Sequence, residues 1–196
     1  MKPLQAIALG LVLLALGPTD ADPGTFDPLP DPLGWVLVLF GVFALARANE
    51  AFANSRWLAL TAAAVSVPMW FPQVSHQLDA SGGWFASLPQ IGFCLFLARE
   101  IGLQAVRQEP PDDFVAKRFG LLVWGFALVA VLPVLAIGGG IEQLETPTAV
   151  AATLVTLAFV YCLFRVHRRE WLGGPGPVEI HPRPAPEKRE GRQPSD

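Results

Sequence analysis

The sequence predicts an all-α membrane protein, a polytopic helical bundle of about six transmembrane helices with both termini in the cytoplasm. Three observations predict it. Of the 196 residues, 52% are hydrophobic and only 16% are charged, too little charge to cover a soluble domain of this size. The apolar residues are gathered in blocks that approach the roughly 20 residues a helix needs to cross a bilayer. The charged residues are sorted, so that basic and purely acidic connections alternate along the chain.

The first block, Leu4–Leu16, follows Lys2 and predicts a span near 4–18. It has a second reading as a secretory signal peptide cut near Thr19-Asp20-Ala21. Acids at positions 20 and 22 are unusual around such a cut, which favours a retained helix; residue 20 lies outside on either reading. The second block, Leu33–Ala46, predicts a span near 30–47 closed by Arg47, and the third, Trp57–Phe71, a span near 57–72 that follows Arg56. The fourth, Trp84–Ala98, extends to a span near 83–104. The fifth and sixth, Phe119–Ile137 and Ala149–Phe164, predict spans near 118–138 and 147–166. Short blocks are lengthened by weakly polar residues or by an arginine that snorkels to the headgroups. Residues 1–171 therefore form the bundle. Beyond them, residues 172–196 open with Gly173-Gly174-Pro175-Gly176-Pro177 and continue rich in Pro, Glu, Lys and Arg, which predicts a disordered cytoplasmic tail.

The connections orient the bundle. Asp20, Asp22, Asp27 and Asp31 lie between the first two blocks, His76 and Asp79 between the third and fourth, and Glu142 and Glu145 between the fifth and sixth. None of these loops carries a Lys or Arg. All 14 basic residues fall on the other side, which the positive-inside rule makes cytoplasmic in a cell (inner) membrane. Trp35, Trp70 and Trp84 near outer ends, with Trp57 and Trp171 near inner ends, suit the headgroup preference of indole.

An internal echo links two spans. Leu29-Pro30-Asp31-Pro32-Leu33-Gly34-Trp35 opens the second, and Leu88-Pro89-Gln90-Ile91-Gly92-Phe93 opens the fourth. Each is followed by a span and then an arginine with an acid close behind, Arg47 with Glu50 and Arg107 with Glu109, and the third and fifth spans each carry a proline toward the outer end, Pro68 and Pro133. The stretch Asp27–Val38, continued by Phe40-Gly41 and Leu45, resembles a signature of small uncharacterised bacterial polytopic membrane proteins, in which a Pro-Asp turn runs into a Gly-aromatic helix start. The resemblance implies a retained first helix, and it implies no substrate and no catalytic residue.

Candidate functional residues are few. The alignment places Arg99 and Glu100 about two turns inside the fourth span, where ionisable groups are costly and mark function; a span ending at Ala98 would instead leave them at the interface. Adjacent helical residues point apart, so an embedded pair would need partners on other spans, with Glu50 a candidate for Arg99. Asp27 and Asp31 flank the second helix start, where carboxylates complement the helix N-terminus. His76 with Asp79 is too small a set for a metal site, and Cys94 and Cys162 sit in apolar blocks without redox or metal spacing.

No catalytic nucleophile with a base, no metal set and no cofactor motif emerges, and nothing suggests nucleic acid. The expected function is a non-enzymatic membrane scaffold or accessory subunit, whose partners are the bilayer and a membrane protein or further copies of the chain. The alternative is a small transporter or channel with Arg99 and Glu100 in its pathway.

Overall fold

The structure, a computed structural model, describes residues 1–16, 31–75 and 77–176. Asp27, His76 and the expected tail from residue 177 onward lie outside the described residues. Six principal helices follow one another: α1 (Pro3–Ala15), α2 (Asp31–Ala48), α3 (Ser55–Met69), α4 (Ala80–Val106), α5 (Asp113–Pro133) and α6 (Glu145–Val166). Among the described residues there is no strand. Four of the helices, α2, α4, α5 with the turn that continues it, and α6, are long and apolar enough to cross a membrane. α1 is apolar but has only 13 residues, about 20 Å at 1.5 Å per residue.

Helix ends follow capping chemistry more closely than hydropathy. Pro3 stands in the first turn of α1, where its missing N–H costs nothing. The sequence expectation opens the fourth span near residue 83, but Asp79 accepts a bond from Gly82 N at 2.8 Å and starts α4 at Ala80. Pro89 therefore stands inside the helix and does not open it. The far end also overshoots expectation: the helix runs unbroken past Ala98 and Arg99 to Val106. Asp112 caps α5 through Val115 N at 3.3 Å and starts the helix at Asp113, five residues before the expected start of that span. Pro68 and Pro133 lie in the last turns of α3 and α5, and a wide turn over Val134–Gly138 follows Pro133.

The helices form a closed ring in chain order: each packs on its sequence neighbours, and α6 packs back on α1. The tightest junction is between α1 and α2. A Cβ added at Gly10 would stand 2.4 Å from the Gly34 carbonyl oxygen, and one at Gly41 would stand 2.5 Å from that of Pro3. The two backbones therefore touch, the arrangement small residues permit when van der Waals packing has to hold apolar helices together. The pairing of residue 10 with 34 and of residue 3 with 41 makes the helices antiparallel.

The ring encloses a filled axis. Trp35, Phe93, Leu97, Ile101, Phe119 and Phe159 are at most 2% exposed. Phe159 takes the edges of Phe119 and Phe126 at 6.2 and 5.3 Å between centroids. Trp35, expected at the headgroups, is instead a core residue, because Gly34 lets α1 close over that end of α2. Outward faces are apolar as well. Leu121, Trp124, Leu128 and Val131 form one exposed stripe along α5 and Val150, Leu154, Leu157 and Tyr161 another along α6. A water-facing surface rarely carries such stripes; a bilayer requires them.

Candidate functional site

Polar chemistry gathers in two places. One is the middle of the C-terminal half of α4. Arg99 lies seven residues before Val106, about 10 Å from the helix end. Its guanidinium donates to Glu100 Oε1 at 2.6 Å, with side-chain exposures of 54% and 12%. The expectation of partners on other helices thus gives way to a pair between neighbours. Their Cα–Cβ bonds diverge, but the long arginine side chain bends back across the gap. Glu50 does not supply the contact. It opens the short turn Glu50–Phe52, capped by Asn49 through Ala51 N at 3.0 Å, and is exposed. That turn does pack on α4, with Phe52 fully buried. Asp31 stands in the first turn of α2, as a carboxylate favoured by the helix N-terminus should.

The second place is one end of the ring. Gly173 lies against Pro3 and Ala48, and Arg169 bonds Asp112 at 2.8 Å, so the start of α1, the ends of α2 and α6 and the α4–α5 connection meet there. Arg47, Arg107, Arg165 and Arg168 belong to the same segments, and Arg56 stands in the first turn of α3. Between the α4–α5 connection and the end of α6 opens a cleft of about 940 Å³. Arg165 and Arg168 line one wall, Glu109 and Asp113 the other, and Phe114 and Trp171 add aromatic surface.

Local sequence builds this cleft. The Asp112 N–H donates to the Ala105 carbonyl of the preceding helix at 2.9 Å, which folds the Pro110-Pro111 connection back under α4. On the other wall, Arg169 leads into the turn Glu170–Leu172, whose Leu172 is fully buried and whose Gly173 closes it at φ +73°. Arg118 lies 4.1 Å above the Phe114 ring centroid, a cation–π contact that steadies the aromatic side. In the sequence Arg165, Arg168 and Arg169 stand only among the basic residues of one side, and no cleft is legible. The available signal was an acidic pair, Asp112-Asp113, and a basic pair, Arg168-Arg169, in two connections assigned to the same side.

The arrangement offers charge-assisted hydrogen bonding of both signs beside aromatic surface, a chemistry of recognition. No protein-family model matches the chain, and comparison with curated proteins and with solved structures likewise finds no match.

Proposed function

We propose that the chain is a six-span integral protein of the cell (inner) membrane, both ends cytoplasmic, that acts as a non-enzymatic scaffold or accessory subunit. The filled axis carries this reading. A solute path along it would have to pass Phe93, Leu97 and Ile101, all fully buried. The basic residues of the described helices collect, Arg99 apart, at the end that the positive-inside rule assigns to the cytoplasm. There the cleft between the α4–α5 connection and α6 docks the partner. α1 and α3 are shorter than the roughly 30 Å hydrocarbon core and reach across by local thinning and snorkelling of flanking residues. α1 is retained, since its loss would bare Gly34, Val38, Gly41 and Leu45 of α2.

The test places a photo-crosslinking residue at Phe114 or Trp171 in cells, with Trp124 on the lipid face as control. A discrete adduct from the cleft positions, lost in Arg165→Glu/Arg168→Glu, is expected. Solute or ion flux through the reconstituted protein that disappears on Glu100→Gln would overturn the scaffold reading in favour of a transporter.

A further inference from the structure

The aligned stripes of α2 and α4 have opposite fates. On α2, Gly34, Val38, Gly41 and Leu45 are buried beneath α1. The corresponding positions on α4 are Gly92, Phe96, Arg99 and Leu103. Nothing lies within 4 Å of where a Cβ on Gly92 would stand, Arg99 is 54% exposed at its side chain, and Leu103 is 37% exposed. The face that seats a helix on α2 is thus only partly covered on α4, with Gly92 and Phe96 half-buried and Arg99 exposed. It also carries a guanidinium about 10 Å from the helix end that is bonded to Glu100 of its own chain yet half-exposed, and such a group is expensive to leave facing lipid.

We propose that a second copy of this chain covers that stripe, with Arg99 of each copy reaching Glu100 of the other. Charge complementarity selects the occupant. Arg99 and Glu100 are adjacent, so they sit at almost one depth in the membrane with opposite signs. When two copies related by a twofold axis along the membrane normal bring their α4 helices together, each guanidinium meets the other copy's carboxylate at that depth. Such an interface is isologous: one patch serves both sides. A foreign helix would need its own acid and base at the same level, whereas a second copy carries both by construction. Gly92 lets the helices approach toward the outer half, and Leu103 packs on the inner side of the ion pairs. The inference rests on α4 spanning the membrane.

The test uses the full-length chain in liposomes of phosphatidylethanolamine and phosphatidylglycerol. The unmodified sequence, carrying one fluorophore per chain at low density, should bleach in two steps; single-step bleaching would overturn the proposal. In a Cys94→Ser, Cys162→Ser background, Leu103→Cys should form a disulfide-linked dimer on mild oxidation, and Trp124→Cys, on the far-exposed face of α5, should not. Equal linkage at both sites would count against a specific interface, as would linkage of Leu103→Cys to a chain of another mass.

Arg99→Glu and Glu100→Arg should each weaken self-association about tenfold or more by placing like charges together. Co-expressed with different tags, the two variants should pair with one another in preference to themselves, which an ion pair confined within one chain would not produce. Random pairing would overturn the proposal. Alkaline carbonate extraction of the same vesicles separates the two possible failures. Release of the chain would refute the membrane reading, and retention as a monomer would refute the dimer alone.

Discussion

Trp35 and Phe93 meet edge to face across the bundle axis, their ring centroids 5.8 Å apart and their planes at 70°. They are also the two aromatic residues that correspond in the echoed Gly-aromatic segments of α2 and α4. The two copies of the motif thus contact each other through their most bulky members, one helix seated behind Gly34 and the other carrying Gly92 outward.

The edge-to-face contact should be measurable as a coupling. Trp35→Ala and Phe93→Ala should each destabilise the protein by about 3 kcal/mol, as large-to-small core changes do. In a double-mutant cycle the pair should show an interaction of about 1 kcal/mol. Thermal unfolding in detergent, followed by reaction of a thiol dye with Cys94, reads both effects, because Cys94 is only 1% exposed until the core opens.

The glycines of the ring should divide by location. Gly41→Leu drives a side chain into the Pro3 carbonyl and Ile7 of α1, and about 3 kcal/mol of destabilisation is expected. Gly120→Ala meets nothing within 4 Å and replaces a poor helix former by a good one, so stability should hold or rise by up to about 1 kcal/mol. The same thiol-dye melt compares them. Equal losses at both sites would contradict the close α1–α2 contact.

Asp112 does two jobs, and two substitutions separate them. Asp112→Asn keeps an acceptor for Val115 N and loses only the half-exposed pair with Arg169, a change of about 0.5 kcal/mol. Asp112→Ala loses the cap as well and should cost about 1.5 kcal/mol. Rising salt should narrow the gap between wild type and Asp112→Asn, since screening weakens the pair and leaves the cap alone.

Water access should begin at the end of α4 and not at its charged pair. With single cysteines at positions 96 to 108 in the Cys94→Ser, Cys162→Ser background, a membrane-impermeant reagent applied from the cytoplasmic side should label from Arg107 onward. Val106 is the last helical residue, and Leu103 and Val106 present exposed apolar side chains suited to lipid. Labelling that starts at position 99 would put Arg99 at the headgroups and remove the reason for covering it.

Much of the all-helical fold could be read in the sequence because helices long and apolar enough to cross a membrane write themselves in long apolar runs. The helix ends were harder. Pro89 looks like a helix start, yet Asp79, nearly three turns earlier, caps the helix through Gly82 N, and a long helix tolerates one proline when neighbouring groups take up the freed carbonyl. Trp35 looks like an interface anchor until the approach of α1 through Gly34 closes over it, a tertiary effect that composition cannot register. Arg99 and Glu100 were visible as a pair; their mutual bond was not, because helical geometry argues against contact between neighbours and only the length of the arginine overcomes it. The cleft joins residues near 110 to residues near 168, and only the return of α6 beside the α4–α5 connection brings them together.

The seam between α1 and α6 has a consequence for how the molecule is made. Five of the six junctions in the ring join helices that are neighbours along the chain, and each can form as soon as its second helix is made. The sixth joins the first helix to the last. Until α6 is made, one flank of α1 lacks its neighbour, while its contact with Gly34 and Gly41 of α2 holds it in place. The glycine-to-backbone contact is therefore more than a dense spot in a finished bundle. It is the clasp that keeps the earliest helix in register until the ring can close.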